Sequence, residues 1–226
     1  FVEQRRIPRA AWRWLCHTDD FARLASEIDP SQDLKRNEPR LVIPVLDQSG
    51  RLLAVQGRSL PGSDTNAKYI TIRRPGQTGR LWYGLWKIDR NAGSVIVFEG
   101  PLDSLFIEDS VAMLGLGQGI DAIPACLEGR RLVFALDNQR RHKEVVEQMG
   151  SLIKAGHSVC FWPSYVRSKD VNDMVLDEGY TPAALKDIIR TSAKSGLEAE
   201  LELAKWRGID DGKREKARSR KDRAGP

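Results

Sequence analysis

The sequence predicts an α/β fold: a parallel sheet with helices on both faces, preceded by a small β-rich unit and followed by C-terminal helices. Three observations predict it. Between Ser94 and Trp162 the apolar runs SVIVF, SVAMLG, RLVFAL and SVCFW alternate with the helix-length stretches PLDSLFIED, IDAIPACLEG and QRRHKEVVEQMGSLIKAG. Upstream, LVIPVLD and RLLAVQGRSL are β-rich runs flanking the turn signal QSG. Downstream, VNDMVLDEG, TPAALKDIIR and SGLEAELELAKWR carry helical spacing.

Each element follows from its residues. Pro8 opens a helix through WRWL, and Asp19 or Asp20 caps a second short helix running to about Glu27, since Pro suits the first helical turn and Asp its cap. LVIPVLD and RLLAVQGRSL then pair as a hairpin, and KYITIRR and RLWYGLW continue the strand character. The four later runs are apolar on both faces, as expected of parallel strands covered on both sides, and their order is β-α-β-α-β-α-β, a doubly wound sheet. Thr181 caps the second of the three closing helices. In the third, Leu197, Leu201 and Ala204 lie at helical spacing, a stripe that packs on the sheet or docks a partner.

Composition narrows the function. The chain has no apolar run of the roughly 18 residues that a membrane helix needs, and FVEQRRIPRA has no apolar signal-peptide core. Cys16, Cys126 and Cys160 are few and scattered, which excludes a disulfide framework or zinc ribbon and makes the cytosol the default compartment. Cys16 beside His17 lacks the second ligand pair of a tetrahedral site. The first residue is Phe, which suggests a fragment of a longer chain. The net charge is +5, and the tail accounts for it: Lys213, Arg214, Lys216, Arg218, Arg220, Lys221 and Arg223 stand against only Glu215 and Asp222. Such a tail reads as a disordered basic arm suited to phosphate backbones, or as a solvated end.

In open parallel sheets the ligand site lies beyond the carboxyl ends of the strands. SVIVF runs into Glu99, RLVFAL into Asp137, and SVCFW into a loop that ends at Lys169 and Asp170. Asp103 follows Glu99 by one helical turn and can face the same edge. One such acid alone is commonly a helix cap. Several acids on separate strands repel one another and are reconciled by a hard dication, with Mg²⁺ taking carboxylates, waters and substrate phosphates. Gly100 permits close approach at the turn.

At these residues the chain resembles the TOPRIM family of primases, topoisomerases and nucleases. VIVFEGPLDSL matches its Glu-Gly motif, VFALDNQ its second motif, and KDVNDMV the Lys-Asp segment of primases. GRLLAVQGRSL, KYITIRR and RLWYGLWKID are similar to the basic subdomain of bacterial and phage primases, so the resemblance covers residues 40–176. With the residue patterns on either side, it divides the chain into a helical connector over 1–30, a β-rich basic subdomain over 31–92, a TOPRIM domain over 93–180, C-terminal helices over 181–210 and the basic tail over 211–226.

By resemblance Glu99 is the general acid or base and a metal ligand, while Asp103, Asp137 and Asp170 gather Mg²⁺ or Mn²⁺. Asn172 and Asp173 are further candidates for the metal shell. Arg58, Lys68, Lys87 and Lys169 would hold nucleotide phosphates or template. Gln139 stands where the family carries a second acid, so one metal is weaker or Asn138 with a water fills in. RRHKEVVEQM is more like tailed-phage primases than bacterial ones.

The function so implied is template-directed synthesis of RNA primers in DNA replication. Its partners would be single-stranded DNA, ribonucleoside triphosphates, a replicative helicase and an upstream zinc ribbon. A TOPRIM nuclease, or a nucleic-acid-binding module with a degenerate metal site, are the alternatives. A topoisomerase is disfavoured, because Tyr69, Tyr83, Tyr165 and Tyr180 lie in strand-like or loop text with no room for a separate nucleophile domain.

Overall fold

A computed structural model describes residues 1–63, 67–115 and 123–208. Two sheets form the molecule. The first is antiparallel, in the order β1 (Cys16–Thr18), β2 (Arg40–Leu46), β3 (Leu52–Ser59), β4 (Tyr69–Arg73). Gly50, at φ 84°, makes the β2–β3 turn, and the Asp47 carboxylate accepts the backbone N–H groups of Ser49 and Arg51 there at 2.9 Å each.

Strand alternation gives this sheet two distinct faces. On one, cross-strand register stacks Leu41, Arg58 and Tyr69 in one row and Ile43, Gln56 and Thr71 in the next. Leu41 and Ile43 pack there with Ile96 and Phe98 of the second sheet. On the other face Val42, Val55 and Ile72 meet Phe21 and Ala25 of α1 (Phe21–Ile28), which Asp20 caps by accepting the Arg23 N–H at 2.9 Å. Gly57 lies beneath Phe21, where a Cβ would come within 2.4 Å of the ring, so no larger residue fits without displacement.

The second sheet contains β5 (Ser94–Phe98), β6 (Ser110–Ala112), β7 (Arg131–Ala135), β8 (Ser158–Cys160) and β9 (Ala193–Lys194), in the order β6-β5-β7-β8-β9. The first four are mutually parallel and β9 is antiparallel to β8. Ile96, Phe98, Val133 and Ala135 face one core with residues of α3 (Val171–Asp177) and α4 (Pro182–Thr191). Val95, Val97, Leu132 and Phe134 face another with α2 (Lys143–Lys154) and α5 (Gly196–Gly208). The α/β fold with both faces covered is as expected, and Thr181 caps α4 by accepting the Ala184 N–H at 3.2 Å.

Several elements differ from expectation. PLDSLFIED gives only a 3₁₀ turn at Asp103–Leu105: Leu102, Leu105, Phe106 and Ile107 are all buried, so this connection packs inward on every side rather than presenting one helical stripe. IDAIPACLEG begins outside the described residues and then contributes a 3₁₀ turn at Ala125–Leu127. RLWYGLW is not a strand, because Tyr83 makes a single bridge to Ala112 and Gly84, at φ 93°, turns the chain into a 3₁₀ segment. RAAWRW is 3₁₀, and Cys16–Thr18 after it extends the antiparallel sheet. In α5 the packing stripe is Ala199, Leu203 and Trp206, whereas Leu197, Leu201 and Ala204 are exposed. No helix among the described residues is long and apolar enough to cross a membrane.

Candidate active site

The carboxyl edge of β5 and β7 and the facing β3–β4 hairpin enclose a cleft of about 350 Å³. Glu99 follows β5 directly, and Asp137 lies one residue beyond Leu136 at the end of β7. The loop that delivers Lys169 and Asp170 is clamped from beneath. The Asn138 N–H donates to the Lys169 carbonyl at 2.7 Å, and Asn138 Nδ2 donates to the carbonyls of Val166 (2.9 Å) and Ser168 (3.2 Å). Buried Arg140 donates to the carbonyls of Trp162 and Pro163 at 3.1 Å each, and the Glu178 carboxylate accepts the Ser168 N–H at 2.6 Å.

Glu99, Asp103, Asp137, Asp170 and Asp173 all line this cleft. Two of them also act in the fold: Asp170 caps α3 by accepting the Asp173 N–H at 2.9 Å, and Asp103 Oδ1 accepts the Asn172 N–H at 3.1 Å. Burial first, and crowding second, raises their pKa values. Burial and then the Asp137 charge raise the Glu99 pKa to about 7. Burial, followed by Asp170 and Asp137, pushes Asp103 well above the usual carboxylate range. Burial also raises Asp137, against the pull of Lys169, whose Nζ lies 3.1 Å from Asp137 Oδ2. Lys169 itself is drawn down by burial, but its bond to Asp137 and the acid charges around it leave it raised.

Arg58 and Lys68 form the opposite wall. Arg58 is buried, donates to the Tyr69 hydroxyl, and its guanidinium lies 5.0 Å from the centre of that ring. Burial and the charges of Arg58, Lys169 and Arg5 lower the Lys68 pKa, which marks a concentration of positive charge facing the acids.

Among the described residues no three His, Cys, Asp or Glu side chains converge as a ready-made metal cage. The donor set nonetheless fits Mg²⁺ or Mn²⁺: its oxygens are hard and mutually repelling, and such ions take one or two carboxylates and complete their shell with waters and substrate phosphates.

Three expectations need correction. Lys87 does not line the cleft; its Nζ donates to the Ser104 carbonyl at 2.6 Å and to Ser110 Oγ at 3.3 Å, tying a 3₁₀ segment to its neighbours. The side chain of Asn172 is committed to Arg5, with Oδ1 accepting from its guanidinium and Nδ2 donating to its carbonyl at 2.6 Å, so it is not available to an ion. Gln139 and Asn138 are both absent from the lining of the cleft, and Asn138 Nδ2 holds the loop while its Oδ1 is buried without a hydrogen-bond partner among the described residues. The tail residues Lys213, Arg214, Lys216, Arg218, Arg220, Lys221 and Arg223 lie outside the described residues. Arg5, Gln56 and Tyr69 line the cleft and did not stand out in the sequence as binding residues. The one signal for Arg5 was the basic pair Arg5-Arg6 in an otherwise connecting segment.

No protein-family model matches the chain. It is 37% identical over 211 residues to the DNA primase of Enterobacteria phage T4, an alignment covering 92% of this chain and 60% of that protein. The chain therefore spans about 60% of the length of the curated relative it matches. Among solved structures it is similar to the DnaG primase catalytic domain bound to ssDNA, with a TM-score of 0.67, 18% identity, and coverage of 92% of this chain and 75% of that one. The E. coli primase catalytic core gives 0.66 at 16% identity, covering 92% and 76%. The Aquifex aeolicus primase, with its zinc-binding and RNA polymerase domains, gives 0.62 at 22% identity, covering 96% and 64%. The resemblance to TOPRIM primases is borne out by the phage relative, and the fold is that of primase catalytic cores.

Proposed function

We propose that this chain is the catalytic core of a DNA primase, which joins ribonucleoside triphosphates into short RNA primers on a single-stranded DNA template during replication. The observation that carries the reading is one cleft in which Glu99, Asp103, Asp137 and Asp170 face Arg58 and Lys68. Nucleotidyl transfer needs that pairing of carboxylates with cations, because the reacting triphosphate must be held by its outer oxygens while its inner ones are neutralised.

Asp103, Asp137 and Asp170, with Glu99, would hold Mg²⁺ or Mn²⁺, which when bound neutralises charge developing on the attacking and leaving oxygens. Glu99, at the end of β5 on the cleft edge, would accept the proton of the attacking hydroxyl. Arg58, Lys68 and Lys169 orient the phosphates, with pyrophosphate leaving toward them. Asp173 supports the acid edge from α3. The basic tail would hold nucleic acid, an upstream zinc ribbon would belong to the full-length protein, and a replicative helicase would be its partner, in the cytoplasm of a bacterium or of a phage-infected host.

The test is primer synthesis by the full-length protein on single-stranded DNA with ribonucleoside triphosphates. Product that requires Mg²⁺ or Mn²⁺ and is lost in Glu99→Gln supports the reading. Wild-type protein that makes no oligoribonucleotide but cuts labelled DNA would replace it with the nuclease. Salt-sensitive DNA binding with neither activity, indifferent to Glu99→Gln, would replace it with the binding module.

A further inference from the structure

The outward stripe of α5 is left uncovered by the described residues. Ala199, Leu203 and Trp206 turn one side of the helix onto the second sheet. That leaves Leu197 70% and Leu201 57% exposed on the other side, with exposed Ala204 in line with them. Among the described residues Tyr165 is the only other large apolar side chain so open to solvent. The stripe advances by four residues and then three, the spacing at which two helices pack along a common seam.

Charge indicates what covers it. A helix turns about 100° per residue, so one flank of the stripe carries Glu198 and Lys205 and the other Glu200 and Arg207. All four are exposed, and on each flank the acid precedes the base by seven residues. A second α5 laid antiparallel, with Leu201 against Ala204 at the centre, brings Glu198 to Lys205 and Glu200 to Arg207 of the other copy. Laid parallel, the same helix would set Glu198 against Glu200 and Lys205 against Arg207. The surface is therefore complementary to its own reverse. Within the chain Glu198 already meets Lys194, and Lys205 meets Glu202 at 4.0 Å, but such surface pairs are weak and exchange at little cost.

We propose that α5 is a self-association surface, on which a second copy of this chain docks antiparallel to form a two-fold dimer. In such a contact the same patch serves both copies, so Leu201 fills the space over Ala204 twice. With one 13-residue helix per chain the contact is at the small end of specific interfaces, so the dimer is reversible and forms in the micromolar range. Its charged flanks make it weaker as salt rises. None of this depends on the primase reading.

The experiment is sedimentation velocity of the full-length protein at low salt, over roughly 1–200 µM. Wild type is expected to shift from monomer to dimer across this range. Leu201→Glu should stay monomeric with an unchanged thermal midpoint, because the side chain it replaces is exposed. Two further variants test the register: Glu198→Lys with Glu200→Lys makes both flanks positive, and Lys205→Glu with Arg207→Glu makes both negative. Each alone should lose the dimer, and an equimolar mixture should associate roughly tenfold or more tightly than either alone. That recovery keeps the test independent of any effect of Leu201→Glu on folding. A wild type that stays monomeric throughout overturns the proposal, as does a dimer that survives Leu201→Glu, or charge variants that each dimerise alone as wild type does. So does dimerisation seen only after deletion of residues 213–226, which would assign the stripe to the chain's own basic tail.

Discussion

The Asp103 carboxylate accepts the backbone N–H of Asn172 at 3.1 Å, so one acid joins the turn after β5 to the first turn of α3. The same side chain is raised by burial and by the neighbouring charges of Asp170 and Asp137. It is at once a structural link and a source of repulsion, and a substitution can separate the two roles.

Asp103→Asn retains an oxygen for the Asn172 N–H and deletes the charge. Without metal at neutral pH this variant is expected to be more stable than wild type by about 1 kcal/mol, or about 2–4 °C at this chain length. Primer synthesis should fall roughly a hundredfold, because a metal-holding carboxylate is lost. Melting scans in EDTA and a primer assay check both parts; a lower midpoint would show that burying the Asp103 carboxyl among other acids does not cost the fold stability.

Glu99 has an ordinary pKa of 4.5 and is raised to about 7 in the fold. Between those values the folded chain keeps a proton that the unfolded chain has lost. Its contribution to stability is therefore full below 4.5, declines as pH rises and is gone above 7. Asp103 and Asp137 act in the same direction. Asp47, lowered to about 2, has its effect below this window, and Lys87, lowered to about 8, above it. In EDTA the midpoint should fall between about pH 5 and about pH 7.5, and Mg²⁺ should restore it most at the upper end.

Gly57→Ala would bring a methyl within 2.4 Å of the Phe21 ring and 2.9 Å of Arg40 Cδ. A loss of about 1–3 kcal/mol is expected, in the range of overpacked cores. Phe21→Leu in the same chain should recover part of it, so a double-mutant cycle by chemical denaturation should show coupling rather than additivity.

Lys87→Met tests a correction to the sequence reading. Because Lys87 Nζ is bound to Ser104 and Ser110 away from the cleft, nucleotide affinity should stay within about twofold of wild type, whereas Lys68→Met should weaken it roughly tenfold. Equal losses in the two variants would return Lys87 to the binding wall.

Much of the site could be read from residue order because β5 and β7 are short, apolar after their first residue and followed within two residues by acids, and parallel strands bring such ends to one edge. Asp20 and Thr181 were readable as caps from local side-chain chemistry. What escaped depends on contacts distant in sequence. Arg5 meets Asn172 across 167 residues, and β9 is two residues long and exists only through its pairing with β8. Lys87 read as a cation for nucleotide or template because a sequence does not show which lysines are drawn inward by nearby carbonyls. The segment after Glu99 looked helical by length, but its apolar residues serve several surfaces at once.

The contact between Lys169 and Asp137 puts an ammonium on one oxygen of a carboxylate that, in the proposed reaction, would hold a dication. An ion bound through that oxygen would compete with the amine for it, so removing the Lys169 charge would tighten ion binding there. The freed amine would stand beside the strand edge for substrate phosphates, and the pair would couple the filling of the acid edge to the cation next to it.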